Sequence, residues 1–126
     1  MTYFDKYGVE FSDDRKTLVK CPKDFKGEYV ILDGVTSIGS GAFKGCIGLT
    51  SIKIPNSVTS IGRSTFSCCS GLTSIEIPKS VTSIEEEAFS GCSGLTSVKI
   101  HNSATRYMFA FWNCRNLVSV IIPDCV

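Results

Sequence analysis

A 23-residue segment recurs along most of this chain, and its period constrains the fold more than any other feature. The copy at 49–71 reads LTSIKIPNSVTSIGRSTFSCCSG, and 72–94 is a close copy of it. The copy at 95–116 is more divergent, and another begins at Leu117. A period of roughly 20 to 50 residues is typical of solenoids, in which each repeat packs against its neighbours.

A single repeat predicts two strands and a turn. In 72–94, Ile75 and Ile77 alternate with polar residues, as in a strand with one buried face. The proline that follows ends this strand, because it cannot donate a ladder hydrogen bond. Residues 81–84 predict a second short strand. Residues 85–90, which begin with three glutamates, predict a short helical or 3₁₀ turn.

Equivalent side chains of stacked coils should form interior rows about 4.8 Å apart. The cysteine row has the spacing of the repeat and does not match the short spacings of zinc sites, so we interpret it as core packing. An oxidised pair between adjacent rungs remains an alternative. Cys21, Cys68 and Cys125 lie outside this row. The predicted rows are Leu49, Leu72, Leu95 and Leu117; Phe43, Phe66, Phe89 and Phe111; and Cys46, Cys69, Cys92 and Cys114.

The repeat pattern L-T-S-I-x-I-P-x-S-V-T-S-I-G-x-x-A-F-x-G-C-S-G resembles the BspA-like leucine-rich repeats, also called the Treponema pallidum class, which are common in bacterial surface proteins. The resemblance covers about residues 28–126. It implies a right-handed leucine-rich-repeat superhelix whose L-x-x-I-x-I segments form a parallel sheet on the concave side. It also implies a secreted or surface-attached protein that adheres to host matrix proteins or to other bacteria.

The chain is predicted to form one structural domain with two parts. Residues 1–27 do not fit the repeat and are predicted to be an N-terminal capping segment, a β-hairpin built from strands near 9–11 and 17–21. The remainder, 28–126, is the predicted leucine-rich-repeat solenoid. Its parts are a partial coil at 28–48, coils at 49–71, 72–94 and 95–116, and a partial coil at 117–126.

Composition argues against several functional classes. Thirteen basic and twelve acidic residues give a net charge of +1 with no basic tract, which argues against nucleic acid as a partner. No apolar run has the length of a membrane span, so membrane insertion is not expected. No signal peptide is visible, and the localisation stays open between the cytosol and the cell surface that the resemblance implies.

Catalytic, metal and cofactor sites are not expected either. The sequence contains no nucleophile-elbow, phosphate-loop or zinc-protease motif. Its single histidine, His101, has no evident acidic partner among its sequence neighbours. The acidic run 85–87 lacks the alternating ligands of a calcium loop and is interpreted as a solvated turn. We therefore expect a non-enzymatic protein without a cofactor.

The predicted function is protein recognition or adhesion, with the concave sheet presented to a host matrix protein or another cell-surface protein. A second predicted surface is Phe109 and Trp112, which replace polar residues of the other copies. They are interpreted either as a cap over the last coil or as an exposed patch. The full predicted partner-binding set is Ser51, Lys53, Ser74, Glu76, Ser97, Lys99, Phe109 and Trp112.

Two alternative functions follow from other features. A structural or self-associating repeat unit would dimerise through its open C-terminal coil, next to the aromatic patch. Glycan binding would use the rows of threonine and serine hydroxyl groups that the repeat creates, although threonine also suits strands without any ligand.

Overall fold

The computed structural model describes residues 2–102, 105–107 and 109–122. Over these residues the chain forms a parallel β-solenoid in which each sequence repeat forms one coil. The L-x-x-I-x-I segments form a first row of strands, because their alternating apolar side chains bury one face. This row consists of β4 Gly27–Val30, β6 Leu49–Lys53, β8 Ser74–Ile77, β10 Ser97–Ile100 and β11 Ser119–Ile121.

The T-S-I segments form a second row of strands, and the N-terminal strands continue it. These strands share one sheet in the order β1-β2-β3-β5-β7-β9. β3 pairs in parallel with β5, and it pairs antiparallel with β2. The role of residues 1–27 as a cap stays a prediction. The strands are β1 Tyr3–Phe4, β2 Glu10–Phe11, β3 Thr17–Lys20, β5 Ser37–Ile38, β7 Ser60–Ile61 and β9 Ser83–Ile84.

The register of the strands follows the repeat. Ser97 lies opposite Ser74, and Lys99 lies opposite Glu76, one copy earlier in the chain. In the second row, Ile61 lies opposite Ile84 in the same way. Because equivalent residues are neighbours, an apolar position in one copy is stacked on the same apolar position in the next.

The core consists of the predicted interior rows. The phenylalanine row is a stack in which successive ring centroids of Phe43, Phe66, Phe89 and Phe111 are 5.2 Å apart and the rings lie within 16° of parallel. The first three of these rings are fully buried, as are the leucines of the first three copies. Phe111 and Leu117, in the last coils, are partly buried.

The cysteine row is also interior, and its thiols are free in the described part of the chain. The Cys69 thiol donates a hydrogen bond to the Phe43 carbonyl oxygen at 3.0 Å, and the Cys92 thiol donates to that of Phe66 at 2.9 Å. The prediction that Cys21 lies outside the row is wrong, because Cys21 is fully buried directly below Cys46. The sequence register could not show this, since Cys21 precedes the first recognisable copy.

The predicted helical or 3₁₀ turns are wrong: the described residues contain no helix, and the segments after the second strands are chains of tight turns. Alternate amides of these segments donate to the next coil, and the amides between them donate to carbonyl oxygens three residues earlier in the same segment. The Phe66 amide donates to the Ala88 carbonyl oxygen at 2.7 Å, and the Cys68 amide donates to that of Ser90 at 2.8 Å. A helix would direct these amides along its own axis and forfeit the bonds between coils.

The first row has one break. β4 pairs with β6, and β8 pairs with β10 and then β11, but β6 and β8 form no ladder with each other. The two coils stay joined on their other sides, where the Glu85 amide donates to the Ile61 carbonyl oxygen at 2.9 Å and the turn segments bond as described above. We call this break the β6–β8 seam.

Candidate functional site

A groove of about 720 Å³ runs along the concave face of the first row, across the β6–β8 seam. It exists because the alternate side chains of these strands that point away from the core are short serines and long charged residues. All six strand residues predicted to bind a partner line it. They are Ser51, Lys53, Ser74, Glu76, Ser97 and Lys99.

The charged side chains in the groove pair differently from what the alternation of their signs along the row predicts. Opposite charges on neighbouring strands suggest that Glu76 pairs with Lys53 or Lys99. The ion pair that Glu76 makes within the described chain is instead with His101, whose Nε2 lies 2.8 Å from Glu76 Oε2. The prediction that His101 has no acidic partner is therefore wrong.

The pair between Glu76 and His101 lies at the edge of solvent. The side chains are 71% and 34% exposed, so the pair contributes little to stability. The hydrogen bond from His101 lowers the pKa of the Glu76 carboxyl below its ordinary value, and the charges of His101 and Lys99 add to this effect. The Glu76 carboxylate is therefore already paired with His101, whereas Lys53 and Lys99 have no ion pair within the described residues.

Sequence reasoning missed four further polar residues that line the groove, namely Glu28, Asn56, Lys79 and His101. Glu28 accepts a hydrogen bond from the Ser51 hydroxyl at 3.0 Å. Asn56 and Lys79 occupy the same repeat position, directly after the proline that ends the strand. The shared position could have indicated in the sequence that both residues line the groove, because the side chains of a turn beside a sheet lie over the edge of that sheet.

Phe109 and Trp112 do not line the groove. They lie in the turn segment of the last described coils, where the side chains are 58% and 63% exposed. This exposure favours the interpretation as a surface patch over that as a cap. The structure therefore separates the predicted partner-binding set into two surfaces.

The threonine rows have a structural explanation. The Thr59 hydroxyl donates to the Thr36 carbonyl oxygen at 3.2 Å, and the Thr82 hydroxyl donates to that of Thr59 at 3.3 Å. The Thr96 hydroxyl makes the equivalent bond to Thr73 at 3.2 Å. Each donor therefore satisfies the backbone of the preceding coil, so these rows need no glycan ligand to account for them.

Across residues 2–102, 105–107 and 109–122, no three His, Cys, Asp or Glu side chains come together as they would around a metal ion. The same ranges contain no helix with the length and hydrophobicity needed to cross a bilayer.

Several solved structures are similar to this chain, although no curated protein sequence matches it. A leucine-rich repeat protein from Eubacterium ventriosum superposes with a TM-score of 0.88 at 24% identity, over 96% of this chain and 33% of that one. A leucine rich cell surface protein from Faecalibacterium prausnitzii gives 0.65 at 28% identity, over 98% and 38%. The T. pallidum leucine rich repeat protein gives 0.65 at 24% identity, over 92% and 61%.

These similarities confirm the fold. This chain spans less than two thirds of the length of each of the three proteins. The sequence model of a protein family, the BspA type leucine rich repeat region, matches residues 25–126 as six copies. That match covers most of the chain and confirms the resemblance drawn from the repeat pattern. The chain belongs to the BspA-type leucine-rich repeat family.

Proposed function

We propose that this protein is a non-enzymatic recognition module that binds a protein partner in the groove. The observation that carries the proposal is the groove itself, which gathers hydrogen-bonding and charged side chains from three successive coils along the first row of strands. A surface of this kind suits a polypeptide ligand, because serine hydroxyls and lysine amines can bond to backbone and side-chain oxygen atoms. The similar protein from Faecalibacterium prausnitzii is a cell surface protein, which supports a partner outside the cell.

Binding to immobilised extracellular matrix proteins, measured by biolayer interferometry, tests this proposal. The test variant combines Lys53→Glu with Lys99→Glu, which reverses the two lysine charges of the row without touching the core. A matched control combines Lys16→Glu with Lys44→Glu, which changes the net charge by the same amount on exposed positions outside the groove. We expect the groove variant to lose at least tenfold in affinity and the control to keep the affinity of the unaltered protein. Equal binding by both variants would place the site elsewhere.

We propose self-association through Phe109 and Trp112 as a second candidate function. Their exposure leaves two large aromatic side chains in water on one turn segment, and contiguous exposed apolar groups commonly mark interfaces. Size-exclusion chromatography with light scattering tests it. A dimer that Phe109→Ser with Trp112→Ser converts to monomer would support this function, and a monomer at high concentration without these changes would contradict it.

A further inference from the structure

The first two rungs of the cysteine row differ from the rungs above them. Cys21 and Cys46 are both completely enclosed by the core. The Cys46 sulfur lies 3.6 Å from the Pro22 carbonyl oxygen and 3.8 Å from that of Cys21, and the Cys21 sulfur lies 3.6 Å from the same Pro22 oxygen. Two sulfur atoms thus converge on one carbonyl group.

The higher rungs hold their thiols apart. The thiols of Cys69, Cys92 and Cys114 each donate to a phenylalanine carbonyl oxygen of the preceding coil, at 3.0, 2.9 and 2.9 Å. The first rung has no such short bond, because the chain below it belongs to the N-terminal strands and does not follow the repeat. The Cys46 thiol instead makes two longer contacts, to the carbonyl oxygen of Cys21 and to the Pro22 carbonyl oxygen that the Cys21 thiol shares.

The surroundings of this pair also favour a thiolate at Cys46. Lys23 runs beside Gly45, the residue before Cys46, with its Cε and Nζ atoms 3.6 and 4.0 Å from the point where a β-carbon on Gly45 would lie. The neighbouring Cys21 thiol, with the charges of Lys20 and Lys23, lowers the pKa of Cys46. The neighbouring Cys46 thiol and burial raise the pKa of Cys21. A thiolate is the nucleophile in disulfide exchange.

We propose that Cys21 and Cys46 form a reversible disulfide that ties the N-terminal strands to the first coil. The oxidant is a low-molecular-weight disulfide such as glutathione disulfide. The Cys46 thiolate attacks one of its sulfur atoms and releases one glutathione thiolate. The Cys21 thiol, on losing its proton, attacks the Cys46 sulfur and releases the second. Two protein thiols are oxidised, one glutathione disulfide is reduced, and the two protons end on the two glutathione molecules.

Burial decides when this reaction occurs. Because both thiols are enclosed, exchange takes place while the chain folds or when the N-terminal strands open. The bond would close a loop between positions 21 and 46, whose sequence separation is 25. Closing such a loop restricts the unfolded chain, so the oxidised protein should melt at a higher temperature than the reduced one.

The experiment is to unfold the reduced chain, refold it in an excess of glutathione disulfide, remove the glutathione, block free thiols with N-ethylmaleimide in denaturant at neutral pH and digest without reduction. Trypsin places Cys21 on peptide 21–23 and Cys46 on peptide 45–53, so mass spectrometry identifies the bond directly. We expect these two peptides to be joined in most molecules, with Cys69 and Cys92 recovered as maleimide adducts. The melting temperature of the oxidised protein should exceed that of the reduced protein by roughly 5–10 °C.

Cys21→Ser supplies the matched control, since it keeps the size of the side chain and removes one sulfur atom. This variant should show no joined peptides and the same melting temperature in oxidising and reducing buffer. Recovery of both Cys21 and Cys46 as maleimide adducts from the unaltered chain would overturn the proposal. Pairing of Cys46 with Cys69 at a comparable yield, or equal melting temperatures for the oxidised and reduced protein, would also overturn it.

Discussion

At the scale of single residues, two positions in each turn segment determine how the chain bends between strands. Both adopt the left-handed conformation in every described copy, with φ between 56° and 74°. This conformation costs a residue with a β-carbon about 1–2 kcal/mol but costs glycine little. The first position is held by Gly41, Ser64, Glu87 and Phe109, and the second by Gly45, Cys68, Gly91 and Asn113.

Cys68→Gly should therefore stabilise the protein. Cys68 has φ of 62° where Gly45 and Gly91 occupy the equivalent positions, and its side chain is exposed. Replacement by glycine removes the strain, for an expected gain of about 1 kcal/mol in the free energy of unfolding, measured by urea denaturation. Cys68→Ala is the control, because it removes the thiol and keeps the β-carbon. An equal gain in both variants would show that the thiol, and not the backbone, is responsible.

Removing a ring from the phenylalanine stack should cause the largest loss of stability among these substitutions. Phe66 is fully buried between two parallel rings, so Phe66→Ala should lower the free energy of unfolding by about 3–5 kcal/mol. Phe109→Ala removes the same group from an exposed position and should change stability by less than about 0.5 kcal/mol. Equal losses in the two variants would mean that the stack is not the core of the molecule.

The pair of Glu76 and His101 predicts a pH dependence. The folded-state pKa of Glu76 is lowered, so its small contribution to stability is present above the unfolded-state pKa and lost as pH falls through the lowered value. A carbon-13 titration should place the Glu76 midpoint below 4.5, and His101→Ala should move it upward. Lys79→Ala, in the same groove, should leave it in place. A midpoint at or above 4.5 in the unaltered protein would contradict the pairing.

At the scale of elements, the tight return from turn to strand requires glycine for space. A β-carbon on Gly94 would lie 2.4 Å from the Ser70 carbonyl oxygen, and one on Gly71 would lie 2.5 Å from that of Ile47. The obstructing atoms belong to the backbone of the preceding coil and cannot rotate away. The backbones of neighbouring coils therefore approach so closely at this corner that only glycine fits without a shift.

Gly94→Ala should separate two coils at this corner. We expect a loss of about 2–3 kcal/mol in the free energy of unfolding, since the backbone must shift to relieve the contact. Ser93→Ala, at the exposed neighbouring position, is the control and should have almost no effect. Both are measured by thermal or urea denaturation. A stable Gly94→Ala protein with an unchanged melting temperature would show that the coils are not packed this closely.

The sequence predicts the strands better than the turns and the site. Strand positions such as Ile75 and Ile77 follow directly from alternation, whereas the run of glutamates at 85–87 suggested a helix because local preference takes no account of the neighbouring coil. The ion pair between Glu76 and His101 joins residues 25 positions apart, across a turn whose direction the sequence does not specify. The β6–β8 seam has no signal at all, because LTSIKIP and LTSIEIP are almost identical.

At the scale of the whole molecule, hydrogen bonds between coils run along three sides: the first row, the second row and the turn segments. Each coil depends on its neighbours, since a single repeat cannot bury its own apolar face. The β6–β8 seam interrupts one side while the other two stay continuous, which places the groove over the interruption. The shape of the proposed recognition surface therefore depends on how the coils stack.

Bonds between coils can be observed directly through scalar couplings across hydrogen bonds in NMR spectra of the labelled protein. The solenoid predicts couplings from the Phe66 amide nitrogen to the Ala88 carbonyl carbon and from the Cys68 amide nitrogen to that of Ser90. Each connects residues one coil apart. Couplings from these amides to carbonyl groups four residues earlier, as in a helix, would contradict the stacked turns and with them the groove.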